Sequence, residues 1–263
     1  MCLLVFAHRA HPDFQLLLAA NRDEFHARET LAAGFWPDYP ALLAGKDLEQ
    51  GGTWMGITRA GRFAAVTNCR SSNTATPAPR SRGELPLGFL TGEQSIAQYL
   101  DWLVVHAEQY AGFNLLLGEG ENLWYFGSDD SEGQPQSPLL LQPGVYGLSN
   151  AQLDTPWPKV ERGKQRLYRL LDGATLDHDA LSTLVNSTQQ SKTRIPGQEH
   201  LDAELEKLLS AQFIQSESYG TRSSTTLSIS KDQEVTWREV NFDCDAAVIG
   251  SRCESFSVES GKL

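Results

Sequence analysis

The sequence predicts an α+β fold in which antiparallel sheets are covered by helices. Three observations carry that expectation. Apolar runs come in pairs joined by short turn-forming segments, which suits antiparallel pairing and leaves no room for the long crossovers of a parallel sheet. Helical patterns interrupt the hairpins in groups instead of alternating with single strands. No glycine-rich phosphate loop follows a strand, which sets aside the usual nucleotide-binding architectures.

The elements follow in chain order. Runs at 3–8 and 15–20 flank the turn-forming His11-Pro12-Asp13, and runs at 53–58 and 62–67 flank Ala60-Gly61. Runs at 113–117 and 123–126 flank Gly118-Glu119-Gly120, and those at 225–229 and 235–240 flank Lys231-Asp232. Each pair reads as a hairpin. Helical periodicity covers 92–108, where Ile96, Tyr99, Leu100 and Leu103 share a face, and returns at 159–171, 179–186 and 201–209. The stretches 71–82 and 128–137 are rich in Ser, Thr, Pro, Gly and Asn or Asp and read as long surface loops, the first lying over a cleft. Neither loop separates two regions able to form a core, and there is no internal repeat, so one domain over 1–263 is expected.

Composition narrows the function. The chain has 263 residues, 40% of them hydrophobic, and a net charge of −11. Acidic residues are spread along it, which argues against a nucleic-acid or anionic-membrane surface. No run approaches the roughly 20 apolar residues of a membrane span. The opening apolar run, 2–7, is too short for a signal peptide and has no basic leader, so a cytoplasmic protein is expected. Four cysteines (Cys2, Cys69, Cys244, Cys253) stand at irregular spacing, without the patterns of a disulfide framework or a zinc site, and no metal is expected.

Hairpin pairing about Pro12 places Cys2 roughly opposite Asn21 and Arg22, with Asp23 at the same rim. The second hairpin exits at Asn68, beside Gly52 and Thr53. The run at 144–149 delivers Asn150, and the last hairpin begins just after Arg222. Polar residues at several strand ends are what a site on a rigid scaffold requires.

The same positions carry a resemblance. Ala19-Ala20-Asn21-Arg22-Asp23-Glu24-Phe25 holds an NRDE tetrapeptide, followed by Gly51-Gly52-Thr53-Trp54, Arg82-Gly83-Glu84-Leu85, Gly112-Phe113-Asn114-Leu115-Leu116, Tyr146-Gly147-Leu148-Ser149-Asn150, Thr155-Pro156-Trp157 and Tyr219-Gly220-Thr221-Arg222. This ordered series resembles the Transport and Golgi organisation protein 2 family. The resemblance implies an N-terminal-nucleophile hydrolase fold, a four-layer αββα sandwich of two antiparallel sheets, related distantly to the choloylglycine hydrolases and penicillin V acylases. It carries over roles: Cys2 as nucleophile once Met1 is removed, Asp23 after the second strand, Asn68 at the oxyanion, Asn150 after a short aliphatic strand, and Arg222 near the last hairpin. One departure stands out. Those hydrolases carry an Arg three residues before the Asp, where this chain has Ala20; because neighbouring strand positions point oppositely, Arg22 is not expected to replace it.

In this reading the free α-amine, with a pKa near 8, takes the proton of the Cys2 thiol. Asp23 orients the amine or thiol, the Asn68 amide donates to the developing oxyanion, and Asn150 holds the substrate amide or the nucleophile. Arg222 lowers the thiol pKa or binds an acidic substrate group. Asn21, Arg22 and Trp54 are candidate binding residues. Each has a plainer alternative: Cys2 a small core residue, Asp23 a turn cap, the asparagines ordinary turn residues, Arg22 and Glu24 a solvated pair, Arg222 a surface ion pair, Trp54 and Trp157 core or cleft-wall aromatics. His8 and His11 are expected at the surface, although with His26 they offer nitrogen ligands for a non-covalent haem. The resemblance implies two functions: a cysteine amidohydrolase or acyltransferase acting on a small C–N amide through Cys2, or a non-catalytic carrier of haem, acyl-lipid or acyl-coenzyme A.

Overall fold

The computed structural model describes residues 2–69, 78–128, 137–173, 175–195, 198 and 201–259. Two antiparallel sheets stack face to face. The six-stranded sheet contains β1 (Cys2–His8), β2 (Phe14–Phe25), β10 (Gly144–Leu148), β11 (Tyr219–Ser230), β12 (Glu234–Phe242) and β13 (Val248–Ser257), in the order β10-β1-β2-β11-β12-β13. The seven-stranded sheet runs in sequence order from β3 (Thr30–Trp36) and β4 (Tyr39–Asp47) through β5 (Met55–Thr58), β6 (Phe63–Asn68), β7 (Phe113–Glu119) and β8 (Asn122–Gly127) to β9 (Leu139–Leu140).

Strand alternation separates three apolar layers. In β1 and β2, Leu4, Phe6, Leu16, Leu18 and Ala20 face the gap between the sheets, where they meet Met55, Ile57, Phe63 and Ala65. The intervening Leu3, Val5, Ala7, Leu17 and Ala19 face outward onto α3 (Pro158–Leu171) and α4 (His178–Ser182) through Val160, Leu167 and Leu181. On the far side, Leu85, Phe89, Leu100 and Leu103 of α1 (Glu84–Thr91) and α2 (Ile96–His106) cover Ala64, Leu115 and Leu117. α5 (Ala203–Leu209) seats Leu209 in a small cluster of its own. The result is the expected αββα sandwich. Among the described residues no helix is long and apolar enough to cross a membrane.

The fully buried Glu239 ties the two sheets together. Its Oε1 accepts from the Ala33 backbone N–H at 2.7 Å, where the β3–β4 register is irregular, and its Oε2 from the Thr225 hydroxyl at 3.3 Å. Burial pushes its carboxyl pKa up.

Several elements differ from expectation. β2 continues five residues past Ala20 because Asn21 and Arg22 pair on both sides, with β1 and with β11, and Asp23 pairs with Thr221 of β11, so buried backbone polar groups find partners in the sheet. Strands β3, β4, β9 and β13 and helix α1 had not been anticipated. The helix expected at 179–186 is the short α4, which ends at Ser182. Of the two expected loops, residues 71–77 and 129–136 lie outside the described residues.

Candidate functional site

Cys2 opens β1, a strand interior to its sheet, and lies across from Arg22 in register. Because β1 and β2 alternate together, Cys2 and Arg22 sit on the inter-sheet face and Asp23 on the opposite one. A cavity of about 370 Å³ opens beside Cys2, lined by Arg22, Asp23, Glu24, Trp54 and Asn68 together with Arg28, Asp47, Arg80, Arg82 and Gly83. Behind it, a cranny of about 10 Å³ is walled by Leu4, Ala20, Met55, Ala65 and Val66.

Cys2 is partly buried. Burial pushes its thiol pKa up and the Asp23 carboxylate adds to this, while Arg22 and a hydrogen bond from the Asp23 backbone N–H act against it. Its carbonyl accepts from the Ser149 hydroxyl at 2.9 Å. Asp23 is 1% exposed, and its Oδ1 accepts from the Thr221 hydroxyl at 2.7 Å. Burial raises its pKa against the opposing pull of Lys159, Thr221 and Arg22.

The asparagines divide. Asn68 lines the cavity at the end of β6. Asn150 does not; its Nδ2 donates to the Asn68 carbonyl at 2.9 Å, and its Oδ1 lies 3.2 Å from the Ser149 hydroxyl. Below them Thr67 Oγ1 donates to the Ser149 carbonyl at 2.7 Å and accepts from Asn114 Nδ2 at 3.1 Å. This network fixes the exit of β10 against the end of β6. Asn21, a candidate binding residue, faces the helical layer instead. Its Nδ2 donates to the Val185 and Gln212 carbonyls at 2.8 Å each, and its Oδ1 accepts from the Ser224 hydroxyl at 2.6 Å.

The arginines correct two expectations. Arg22 was expected to point away from the place of Ala20, yet both line the cranny with Cys2, because residues two apart on a strand share a face. Its guanidinium lies 4.3 Å from the Trp54 ring, which in turn rests over Gly45, where an added Cβ would meet the indole at 2.3 Å. Arg222 was expected near the thiol. It stands at the irregularity in β11 between Thr221 and Ser223 and turns its Nη1 to the carbonyls of Phe25, His26 and Arg28 at 3.0–3.2 Å, clasping the turn between β2 and β3.

The cavity residues Arg82, Arg28 and Asp47, and the buried Lys159 outside the cavity lining, escaped the sequence reading. Arg82, although inside a quoted motif, had been given no role; its Nη1 donates to the Gly112 carbonyl at 3.0 Å. Arg28 is held by Asp47 at 2.6 Å, which raises its pKa. Burial works to raise Asp47, but the Arg28 hydrogen bond, the Glu49 backbone N–H and the charges of Arg28 and Arg22 together hold the carboxyl below its ordinary value. Lys159 is 1% exposed in α3 and donates to the Leu209 carbonyl at 3.0 Å. Its sequence signal was a lysine at the apolar face shared by Val160, Gly163 and Leu167.

The histidines do not gather around this cavity. His8, expected at the surface, is 3% exposed at the opposite end of β1 and borders a space of about 10 Å³, enough for a water but not a porphyrin. His11 accepts from the Asp13 N–H at 3.2 Å, and His26 Nε2 lies 3.1 Å from the Ser216 carbonyl. A haem in the large cavity would find Cys2 as its axial ligand among the described lining residues, with no histidine, methionine or tyrosine beside it. Among the described residues no cluster of three or more His, Cys, Asp or Glu is placed to hold a metal ion.

Comparison with known proteins gives concordant matches. A family model described as Transport and Golgi organisation 2 matches residues 1–244. The Transport and Golgi organization protein 2 homolog of Bos taurus is 36% identical over 260 residues, covering 91% of this chain and 92% of that protein. The Homo sapiens homolog is 34% identical over 282 residues, covering 99% and 100%. Among solved structures, a mutant conjugated bile acid hydrolase from Clostridium perfringens aligns over 98% of this chain and 97% of its own, with a TM-score of 0.52 and 9% identity. That likeness shows the N-terminal-nucleophile hydrolase fold.

Proposed function

This chain belongs to the Transport and Golgi organisation 2 family, and from that premise we propose that it is a cysteine amidohydrolase or acyltransferase acting on a small C–N amide through Cys2. The observation that carries this reading is that Cys2 lines a polar cavity whose wall also holds Arg22, Asp23 and Asn68.

The chemistry requires Cys2 to carry a free α-amine. That amine takes the thiol proton, and the sulfur attacks the carbonyl carbon. The Asn68 amide donates to the resulting oxyanion, an interaction worth about 3 kcal/mol in other enzymes. The C–N bond then breaks, and the leaving amine takes the proton from the α-ammonium. The thioester left on Cys2 is attacked by water, or by an acceptor amine or alcohol in the transferase case. The attacking group's proton passes through the α-amine to the departing sulfur, releasing the acid or the new acyl compound and restoring the thiol. Asn150 and Arg222 act as positioning residues, one holding the Asn68 backbone and the other the turn behind Asp23.

Intact-mass analysis before and after an activated acyl ester tests the reading. One acyl group should appear on Cys2, in a protein whose first residue is Cys2, and should disappear in Cys2→Ser. Full retention of Met1 in protein that still turns over an amide would eliminate this mechanism.

A second reading, a carrier of haem or an acyl compound without turnover, is favoured by the raised thiol pKa, since a protonated thiol is a weak nucleophile. Saturable haem binding by the unaltered protein that weakens in Cys2→Ala, with no acylation of Cys2, would support it.

A further inference from the structure

The chain carries a net charge of −11, yet four arginines line the cavity beside Cys2. Two are neutralised within the fold: Arg28 by Asp47 at 2.6 Å and Arg80 by Glu84 at 2.7 Å. Arg22 has only a loose ion pair, and Arg82 has none among the described residues. The nearest carboxylate to Arg22 is Glu24 at 3.9 Å, beyond hydrogen-bond reach, and Arg82 is held by a backbone carbonyl.

Arg22 is the decisive member. It is 6% exposed, and its Nη1 has no hydrogen-bond partner among the described residues. A guanidinium withdrawn from water without a matched acceptor is costly for the fold. The indole beneath it supplies a cation–π contact but no acceptor. Its planar donors therefore await an oxyanion, which a guanidinium grips through paired hydrogen bonds.

The other side of the sulfur sets a second constraint. The cranny beside Cys2 is lined mainly by aliphatic side chains, with Arg22, Trp54, Asn21 and Thr225 also in its wall, and holds about 10 Å³, the space of one water or one methyl group. A longer chain would collide with Leu4 and Met55. The two compartments meet at Cys2, so an amide carbonyl placed at the sulfur sends one substituent into each.

We propose that the ligand is a short-acyl amide, about acetyl in size, whose amine portion bears a carboxylate or phosphate held by Arg22 and Arg82. The orientation rests on the amidohydrolase reading; the oxyanion grip does not. The acyl methyl occupies the cranny, and the anionic amine portion fills the larger cavity.

Binding to Cys2→Ala, which removes turnover, tests the grip by itself. The probes are N-acetylglycine, its neutral counterpart N-acetylglycinamide, N-acetyl-O-phosphoethanolamine and N-octanoylglycine. The acid or the phosphate should bind about 10-fold tighter than the neutral amide, with an advantage that shrinks as salt rises and is lost in Arg82→Gln. The acid–amide comparison needs no arginine variant, so a misfolded Arg22→Gln would not spoil it. Equal binding of all three acetyl probes overturns the oxyanion grip, and tighter binding of N-octanoylglycine than of N-acetylglycine overturns the short-acyl limit. Turnover by unaltered protein is scored separately. Anion-selective binding without hydrolysis defeats the amidohydrolase reading and leaves the grip standing. Hydrolysis of N-acetylglycinamide with N-acetylglycine excluded does the reverse.

Discussion

Arg22 stands two residues after Ala20, and on a strand that interval returns a side chain to the same face. The guanidinium therefore shares the thiol's side of the sheet, and the Asp23 carboxylate takes the other side. Their charges act on Cys2 with opposite sign, Arg22 lowering the thiol pKa and Asp23 raising it, beneath a larger upward push from burial. Peptide-resolved alkylation by iodoacetamide across pH should give Cys2 a midpoint above that of an ordinary thiol near 8.5. Removing the cation in Arg22→Gln should move the midpoint further up, and removing the carboxylate in Asp23→Asn should move it down. Shifts of one sign in both variants would mean that packing, not charge, sets the thiol. The residues of this rim were legible as a set because pairing about the turn at Pro12 sets Cys2 against the NRDE run, and Asn68 and Asn150 fall at or just beyond strand ends. Their division of labour was not. Asn21 and Arg222 are committed to backbone carbonyls supplied by distant segments, and pairing within single hairpins carries no information about such partners.

The segments Gly51-Gly52-Thr53-Trp54 and Arg82-Gly83-Glu84-Leu85 acquire a physical reason in the structure. Gly52 and Gly83 pack backbone to backbone: a Cβ on Gly52 would lie 2.5 Å from the Gly83 carbonyl carbon, and the Thr53 N–H donates to the Gly83 carbonyl at 3.1 Å. That contact joins the entry to β5 with the start of α1 and sets Trp54 and Arg82 on the cavity wall. Gly52→Ala should cost about 1–3 kcal/mol by overpacking, read from urea unfolding, and should slow acylation of Cys2 by displacing Arg82. An unchanged midpoint and rate would show that the two loops part freely. The elements themselves were unevenly legible. Hairpins with tight turns and helices with a clean apolar stripe were found near their true bounds, apart from β2 and from β11, which starts at Tyr219, six residues before the run expected at 225–229. β3 and β4 were missed because Gly34, Pro37 and Pro40 interrupt the pattern, and β13 because it lies at the sheet edge with most of its residues exposed, leaving no alternation to detect. β2 was cut short where polarity begins, although its polar residues are as buried as its apolar ones.

The sandwich has two ends, and β1 joins them: Cys2 at the cavity and His8 at the far rim. Burial, helped by the neighbouring Arg9 and opposed by Glu121, pushes the His8 pKa from 6.5 down to about 4. An unfolded chain would bind a proton there near pH 6.5, whereas the folded protein does not until about pH 4. The neutral imidazole thus leaves stability intact above pH 6.5, and stability falls as the pH drops from 6.5 to 4. The loss should be on the order of 2 kcal/mol once partial solvent access is allowed for. His8→Leu cannot titrate, so the stability difference between the two proteins should be flat above pH 6.5, slope through the interval and flatten again below 4. The buried acids Asp23 and Glu239 have raised pKa values and favour folding at low pH, the opposite sense, but both proteins share them and the difference cancels their contribution. A pH-independent difference would place the His8 ring in contact with water. Acylation of Cys2 should meanwhile follow the same pH profile in both proteins, because the thiol and the imidazole lie at opposite ends of one strand.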